Sequence, residues 1–230
     1  MELYPAIDVQ GGRVARAPAA HADPLAALER CARAGARWVH FVDLDRAHGR
    51  GPNDGVTRAC LRAASMRVQV GGGVSTESAV DELLSWGAAR VVLGAAAAVD
   101  AGLVDRLLAR HGVERIAVAI DARDGKLAPR GGAQGAPPIV ARELARRLRA
   151  QGARTVVYTD VARDGTLGGP DVSGARALGD EGGLDVIVSG GIATLDDLRA
   201  ARAAGLAGAI VGRALHEAKF TLAEALACVA

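Results

Sequence analysis

Two stretches of the chain are alike: Val70-Gly71-Gly72-Gly73-Val74-Ser75-Thr76 and Val188-Ser189-Gly190-Gly191-Ile192-Ala193-Thr194. In each, an apolar run leads into a glycine pair, and a threonine follows where it can cap a helix. The two stretches lie 118 residues apart (188−70), about half of the 230-residue chain. Solenoid repeats are much shorter, ~20 to 50 residues. The spacing therefore predicts two related half-domains.

The repeat extends to other apolar runs that end in a carboxylate. Ala6-Ile7-Asp8 corresponds to Ala119-Ile120-Asp121, and Val42-Asp43-Leu44 corresponds to Thr159-Asp160-Val161. The offsets are 121−8=113 and 160−43=117, so the register changes little along the chain. Because no Pro/Ser-rich linker separates the halves, we predict a single domain over residues 1–230.

Short Val- and Ile-rich runs alternate with stretches of helical periodicity, an order that requires parallel strands joined by right-handed crossovers. Eight such units predict an α/β fold, a closed (β/α)8 TIM barrel made of two repeated half-barrels, about 1–112 and 113–230. An open doubly wound sheet is the alternative, but it gives no reason for the repeat. The predicted strands are Leu3–Asp8, Trp38–Asp43, Val68–Val70, Arg90–Leu93, Ile116–Ile120, Thr155–Thr159, Val186–Val188 and Ala209–Val211. The predicted helices include Pro24–Ala34, Thr76–Trp86, Val104–Arg110, Val140–Gln151, Leu195–Ala204 and Thr221–Val229.

Composition excludes several classes of function. The formal charge is +2 and the arginines are scattered, which argues against a nucleic-acid partner. The N-terminus lacks the order of a signal peptide and no apolar stretch could cross a bilayer, so we expect a cytoplasmic protein without membrane contact. Cys31, Cys60 and Cys228 are expected to be reduced, buried thiols.

The glycine pairs and the ends of two further strands suggest phosphate sites, which we call the first and second glycine cups. Turns without Cβ atoms let a phosphate approach backbone N–H groups, and a following helix N-terminus favours the anion. Tight turns alone explain most Gly-Gly pairs, but the repetition at strand ends favours phosphate. Two cups across a barrel mouth predict a small-molecule ligand with a phosphate at each end. The cup residues are Gly72, Gly73 and Gly94 in the first half, and Gly190, Gly191, Gly212 and Arg213 in the second.

Carboxylates at strand ends are the candidate catalytic groups. Asp8 and Asp121 end the first and fifth strands, on opposite sides of an eight-stranded barrel. One such Asp often only caps a turn, but two across a pocket can divide acid and base roles. Asp164 is a third candidate, whereas Asp43 and Asp45 are weaker ones because charged strand-end residues often only bridge loops.

Metal and nucleophile chemistry find little support in the sequence. The five histidines show no paired spacing with cysteines or carboxylates, and no G-x-S-x-G motif is present. We therefore expect proton transfer with neither cofactor nor metal.

Taken together, these motifs resemble the histidine-biosynthesis barrel isomerase family, over nearly the whole chain. Part of the sequence looks especially like the actinobacterial bifunctional phosphoribosyl isomerase A, which also isomerises phosphoribosylanthranilate in tryptophan biosynthesis. The motifs are Pro5-Ala6-Ile7-Asp8-Val9 with Gly12-Arg13-Val14, Thr159-Asp160-Val161-Ala162-Arg163-Asp164-Gly165-Thr166-Leu167, Ser189-Gly190-Gly191-Ile192 with Leu195-Asp196-Asp197-Leu198, and Gly208-Ala209-Ile210-Val211-Gly212-Arg213-Ala214-Leu215.

The resemblance implies an Amadori rearrangement, from aldose to ketose, of a bisphosphorylated imidazole carboxamide ribonucleotide. It implies that Asp8 is the general base at ribose C2 and that Asp121 or Asp164 is the acid or a positioning group. Thr159 matches a substrate-orienting hydroxyl, Arg16 a substrate-binding arginine, and the cup residues the two phosphate sites. The family precedent implies a monomer.

Two segments depart from the family pattern. The first loop after Arg16 is short, and the family's Arg-Gly-Trp lid is replaced by Arg130-Gly131-Gly132-Ala133. A missing lid aromatic removes a stacking surface worth ~1 kcal/mol beyond buried area. We therefore expect weaker activity, or a narrowed or changed substrate range.

Three alternative functions stay open. The chain could be a specialised phosphoribosylanthranilate isomerase, the related cyclase subunit, or a phosphate-binding barrel without catalysis. Ala6-Ile7 before the first Asp favours the isomerase over the cyclase, and three retained carboxylates disfavour a non-catalytic barrel.

Overall fold

The computed structural model describes residues 1–94, 100–128 and 139–230. Its strands are β1 (Glu2–Gln10), β2 (Arg13–Val14), β3 (Trp38–Asp43), β4 (Arg67–Gly71), β5 (Arg90–Leu93), β6 (Ile116–Arg123), β7 (Lys126–Leu127), β8 (Thr155–Asp160), β9 (Asp185–Ser189) and β10 (Gly208–Val211). Its α-helices are α1 (Pro24–Arg33), α2 (Leu44–Ala47), α3 (Asp54–Ala63), α4 (Glu77–Ser85), α5 (Ala101–His111), α6 (Ala141–Ala150), α7 (Val172–Gly182), α8 (Leu195–Ala203), α9 (Arg213–His216) and α10 (Leu222–Val229).

Eight parallel strands form a closed barrel, which confirms the predicted (β/α)8 fold. They follow one another in the order β1, β3, β4, β5, β6, β8, β9 and β10. The circle closes where β10 pairs with β1, with Leu3 opposite Ala209 and Pro5 opposite Val211. All eight predicted strands are present, and the ends of each strand lie within a few residues of the predicted ends.

The two remaining strands repeat one hairpin in each half. Strand β2 pairs with the end of β1 and places Val9 opposite Val14, whereas β7 pairs with the end of β6 and places Ala122 opposite Leu127. Both partners are shifted by 113 residues (122−9 and 127−14), the offset that relates Asp8 to Asp121. The repeat therefore governs backbone pairing as well as sequence motifs.

The predicted helices are confirmed within a few residues, and α3 and α7 complete the set. The sequence pattern does not predict these two helices clearly, because they contain glycines, which are poor helix formers. Helix α3 contains Gly55, and α7 contains Gly174, Gly179 and Gly182. Glycines that follow the helices, such as Gly35 after α1 and Gly205 after α8, adopt positive φ values of 86° and 74°. Glycine is favoured there because it has no Cβ penalty in this region.

The core has two layers. The larger layer lies between the strands and the helices and includes Cys31 and Cys60; both are free thiols, and Cys228 is only partly buried. The smaller layer fills the barrel interior with Tyr4, Trp38, Val92, Ala117, Val157, Ile187 and Ile210. Within residues 1–94, 100–128 and 139–230, no helix has the length and apolar character needed to cross a membrane.

Candidate active site

A pocket of about 390 Å³ opens at the C-terminal ends of the barrel strands. Its floor includes Val92, Val157 and Ile210 from the barrel interior, so the site lies directly above the inner core layer. Ligand sites in this fold lie at this end of the barrel. Every predicted site residue lines the pocket: Asp8, Arg16, Gly72, Gly73, Gly94, Asp121, Thr159, Asp164, Gly190, Gly191, Gly212 and Arg213.

Asp8 and Asp121 occupy equivalent positions near the ends of β1 and β6. Both are partly buried, and each follows a fully buried isoleucine. Their backbone carbonyls accept matching hydrogen bonds, from Ala15 N–H at 2.7 Å and from Ala128 N–H at 2.8 Å. Two rigid strands thus direct two carboxylates into one pocket, the arrangement that acid–base chemistry requires.

Asp164 reaches the pocket from a loop rather than from a strand. Its N–H donates to the Asp160 carbonyl at 3.1 Å, which holds the turn that follows β8. The turn packs on the second glycine cup, because a Cβ on Gly190 would lie 3.2 Å from Asp164 Cα and 3.3 Å from Thr159 Cγ2. Asp164 is exposed and Thr159 is buried, so the two side chains meet different environments within one site.

Arg16 lies at the pocket edge, directly after the β1–β2 hairpin. Its φ of 61° is unusual for a residue with a side chain. A Cβ added to Gly165 would lie 3.5 Å from Nη1 of Arg16, so the guanidinium borders the loop that carries Asp164. The short loop that follows contains a 3-10 turn (Ala19–His21) and returns to β2, where Val14 N–H donates to Ala22 O at 2.8 Å.

The glycines of the cups are required by chain packing as well as by any ligand. A Cβ on Gly72 would overlap the Asp43 carbonyl oxygen, and a Cβ on Gly191 would overlap the Gly169 carbonyl oxygen. Both residues also have positive φ, 96° and 83°. Turn chemistry therefore explains these two glycines by itself, and the phosphate interpretation depends on their place in the pocket.

The second glycine cup is followed by α8 and adjoins the start of α9. The turn between the glycine pair and α8 is held by the capping box of that helix, since Asp197 accepts from the N–H groups of Ala193 and Thr194, each at 2.9 Å. Helix α9 begins at the pocket, where its N-cap residue, Gly212, and its first residue, Arg213, are both lining residues. The expectation that the N-terminus of α8 favours a phosphate in the second cup stays a prediction.

Arg213, the first residue of α9, is held in place from two sides. Its Nε donates to Glu217 Oε1 at 2.6 Å, and its Nη1 donates to the Gly165 carbonyl oxygen. The guanidinium lowers the pKa of Glu217 through this hydrogen bond, so Glu217 stays ionised. Arg213 thereby connects the second cup to the loop that carries Asp164.

Five polar residues line the pocket although the sequence analysis did not select them: His40, Arg46, His48, Ser75 and Ser189. A signal existed for His40, which is a single polar residue within the apolar run of β3. By contrast, Asp43 is fully buried and does not line the pocket. The Asp43 carboxylate accepts from the N–H groups of Asp45, Arg46 and Asn53, and the Asp45 carboxylate accepts from Gly11 N–H. Both carboxylates therefore hold loops together, as expected for charged residues at strand ends.

Two segments that concern the predicted site, the end of the first cup after Gly94 and the lid, cannot be compared with the structure. Ala95, next to Gly94, and the lid segment 130–133 lie outside the described residues. Within residues 1–94, 100–128 and 139–230, no three His, Cys, Asp or Glu side chains converge as a metal site.

The closed barrel, with carboxylates and glycine cups at one mouth, defines a (β/α)8-barrel protein with its site where enzymes of this fold have theirs. The family described as "Histidine biosynthesis protein" matches residues 2–221, and the chain belongs to that family.

Three relatives carry one name, 1-(5-phosphoribosyl)-5-((5-phosphoribosylamino)methylideneamino) imidazole-4-carboxamide isomerase. The protein of Geobacillus kaustophilus is 44% identical and covers 99% of this chain and 97% of its own length. That of Moorella thermoacetica is 43% identical, covering 100% and 99%. That of Acidothermus cellulolyticus is 40% identical, covering 98% and 97%. The likeness therefore extends over whole chains.

Proposed function

We propose that this chain is an aldose–ketose isomerase that carries out an Amadori rearrangement on the imidazole carboxamide ribonucleotide named in its relatives. The observation that carries the proposal is that Asp8, Asp121 and Asp164 line one pocket between two glycine cups. The relatives' name contains two phosphoribosyl groups, so one phosphate can occupy each cup. The pocket volume, about 390 Å³, lies within the range of ~300 to 1,000 Å³ that is usual for small-molecule sites.

In the proposed reaction, Asp121 or Asp164 donates a proton to the ribose ring oxygen, and the C1–O bond breaks to give an open-chain iminium. Asp8 then removes the proton from C2, and the electron pair forms the enol-amine. In the ketonisation, Asp8 returns its proton to C1 and the enol hydroxyl gives its proton to the carboxylate that opened the ring, so both carboxyl groups regain their starting states and the product is an isomer of the substrate. No oxidant or cofactor is needed, because one proton moves from C2 to C1 and another from the 2-hydroxyl to the former ring oxygen.

Phosphoribosylanthranilate is a second substrate that the sequence resemblance suggests. The relatives' names do not mention it, so this activity and the likeness to the bifunctional isomerase stay predictions. A cytoplasmic location and a monomeric state are likewise predictions. The effect of the missing lid Trp belongs to the same question, since it concerns substrate range and not the carboxylates.

Turnover of both aminoaldoses by the purified protein tests the proposal. We expect measurable kcat/KM with the imidazole substrate, and a loss of about 100- to 10,000-fold in Asp8→Asn, because the amide cannot accept the C2 proton. Asp124→Asn is the matched control: it makes the same chemical change at a turn residue with φ 51°, outside the pocket lining, where Asn is well tolerated. The control should keep wild-type kinetics.

Two results would contradict this assignment. If the wild-type protein converts neither aminoaldose, the assigned reaction is wrong. If Asp8→Asn is as active as Asp124→Asn, the isomerase can stand but Asp8 is not its base.

A further inference from the structure

A chain of polar side chains crosses the barrel interior beneath the pocket. Arg90 Nη1 donates to Tyr4 Oη at 3.4 Å and to Gln69 Oε1 at 3.5 Å. Gln69 Nε2 lies 3.0 Å from His40 Nδ1. Gln69 is fully buried, while Arg90 and His40 are only 8% and 9% exposed. Of the four, His40 alone lines the pocket.

This polar chain occurs in one half of the barrel only. The offset between the repeated halves is 113 residues at the first of these strands, 117 at the second and 118 at the other two. Positions 4, 40, 69 and 90 therefore correspond to positions 117, 157, 187 and 208. In the second half these positions hold Ala117, Val157, Ile187 and Gly208, three of them in the apolar inner layer. The fold thus fills the same layer without polar groups. Since buried polar groups are costly unless they are paired, their presence on one side calls for a reason other than stability.

The hydrogen bonds fix the protonation of His40. Arginine has no acceptor, so the Gln69 atom that faces Arg90 must be the amide oxygen. The Gln69 nitrogen then faces His40 and donates, which makes Nδ1 of His40 the acceptor. The ring proton must therefore sit on Nε2.

The protonated edge of the ring lies beside Gly71, another residue of the pocket lining. His40 Cε1 and Nε2 lie 3.4 and 4.0 Å from the position of a Cβ on Gly71. Gly71 ends β4 and lines the pocket together with His40. His40 lies opposite Ala6 on β1, and Ala6 lies two residues before Asp8. His40 is therefore two residues closer to the N-terminal end of the barrel strands than Asp8 is.

We propose that Gln69 and Arg90 are positioning residues that hold His40 as a neutral imidazole, whose Nε2–H donates a hydrogen bond to an oxygen of the substrate. The substrate oxygen is a hydroxyl or carbonyl of the reacting sugar, near the carbon that Asp8 deprotonates. This inference rests on the proposed function for the identity of the substrate.

A neutral donor suits a site in which a carboxylate is the base. An imidazolium in the pocket would stabilise the Asp8 carboxylate and weaken it as a base. Burial opposes that charge and lowers the pKa of His40 to about 4. The charged and titratable groups around the ring are Tyr4 and Arg90 below it, and Asp8, Arg16, Arg46, His48, Asp121, Asp164 and Arg213 around the pocket.

Nitrogen-15 NMR of the ligand-free protein tests the tautomer directly. We expect His40 to show a protonated Nε2 and an unprotonated Nδ1 at pH 7, and to remain neutral at pH 5. An Nδ1–H tautomer, or protonation near the ordinary histidine pKa, would overturn the proposal. Because no substrate is present, this result does not depend on the proposed reaction.

Gln69→Glu tests the functional consequence with almost no change in shape. The carboxylate accepts from Arg90 as the amide oxygen does, but it must also accept from His40 Nδ1–H. We therefore expect the NMR signal to switch to the Nδ1–H or doubly protonated ring. We also expect kcat/KM to fall about 10- to 100-fold, as for a lost buried hydrogen bond, with a new titration in the pH profile between about 5 and 8.

Thr155→Val is the matched control, since Thr155 is a buried polar residue of β8 outside the polar chain and the pocket lining. It should leave the tautomer and the pH profile unchanged. If Gln69→Glu keeps the kcat/KM and pH profile of the control, the positioning role is wrong even though the isomerase stands. If the wild-type protein has no isomerase activity while NMR shows the expected tautomer, the proposed function fails and the polar chain still fixes the ring.

Discussion

Gly72 and Gly191 are each enclosed by the backbone of a neighbouring loop. The two residues are not strict counterparts, since Gly72 corresponds to Gly190 and Gly73 to Gly191 at the offset of 118. A Cβ on Gly73 would lie 2.6 Å from the Arg46 carbonyl oxygen, so the pair Gly73 and Gly191 shares one packing role. The sequence repeat at the cups therefore records a shared loop contact in addition to any shared ligand.

Gly191→Ala should be strongly destabilising, and Gly152→Ala separates its two causes. Both residues have positive φ, 83° and 88°, but a Cβ on Gly152 meets no atom within 4 Å. We expect Gly152→Ala to cost about 1 kcal/mol for backbone strain alone. Gly191→Ala should cost about 1 to 3 kcal/mol more, because the Gly169 segment must move.

The measurement is urea denaturation of both variants and the wild-type protein. Equal losses of unfolding free energy in the two variants would show that the loop gives way freely at Gly191, and that only backbone conformation requires glycine there.

At the residue level, the sequence predicts the location of the candidate site residues well, whereas their roles stay predictions. All twelve selected residues line the pocket. Ten of them do so because they lie at or next to the C-terminal ends of parallel strands, which must meet at one edge of the barrel, whereas Arg16 and Asp164 reach the pocket from loops. His40 was missed because it lies two residues before Val42, inside the strand, where a polar residue is usually structural. Asp43 shows the reverse case: a strand-end carboxylate whose hydrogen bonds are all to its own loops.

At the level of elements, α8 and α10 begin with the same capping box. Thr194 pairs with Asp197, and Thr221 pairs with Glu224, in each case through reciprocal side-chain and backbone bonds. None of these four residues lines the pocket, but the first box also holds the turn that follows Gly190 and Gly191, since Asp197 accepts from Ala193 N–H.

Thr194→Ala and Thr221→Ala should therefore have equal effects on stability and different effects on activity. Each should cost about 1 kcal/mol of unfolding free energy, the usual cost of losing an N-cap. Only Thr194→Ala should raise KM several-fold, because the turn of the second cup loses its anchor. Chemical denaturation and steady-state kinetics measure the two effects, and an equal KM in both variants would show that the cup does not depend on the cap.

The drift of the repeat offset also belongs to the elements. The hairpins β1–β2 and β6–β7 are related by 113 residues, and the helices α1 and α6 by 117 (141−24). The four extra residues of the second half therefore fall between Leu127 and Ala141, the segment in which the family resemblance places the lid. The sequence shows this length difference directly, and the hairpins show where it begins.

Across the whole molecule, the two halves share a backbone plan but differ in the interior of the barrel. The first half buries Tyr4, His40, Gln69 and Arg90 where the second half has apolar residues or glycine. Gly208 accommodates this difference, because a Cβ there would lie 2.7 Å from the Tyr4 ring. The asymmetry places the polar floor beside the strand that carries Asp8.

The stability of the folded molecule should depend on pH through His40. Its pKa is lowered in the folded protein to about 4, whereas the unfolded chain has the ordinary value near 6.5. The unfolded state then binds more protons between these values, so stability is highest above about pH 6.5 and falls as the pH drops towards 4. The loss amounts to about 3 kcal/mol at most.

His40→Gln removes this titration and leaves the carboxylates in place. Between pH 7 and pH 4, we expect the wild-type protein to lose about 3 kcal/mol more unfolding free energy than the variant does. Urea denaturation across this range measures it. A constant difference would show that His40 is protonated equally in both states.

The sequence by itself determined the fold, the two-fold repeat and the strand ends that form the pocket. It could do so because strand–helix alternation, right-handed crossovers and the glycine turns are local features that leave one closed arrangement. Only the tertiary structure decided which polar groups meet. Tyr4, His40, Gln69 and Arg90 come from four strands and are up to 86 residues apart, so their hydrogen bonds exist only once the barrel closes. The protonation of His40 is therefore a property of the closed barrel.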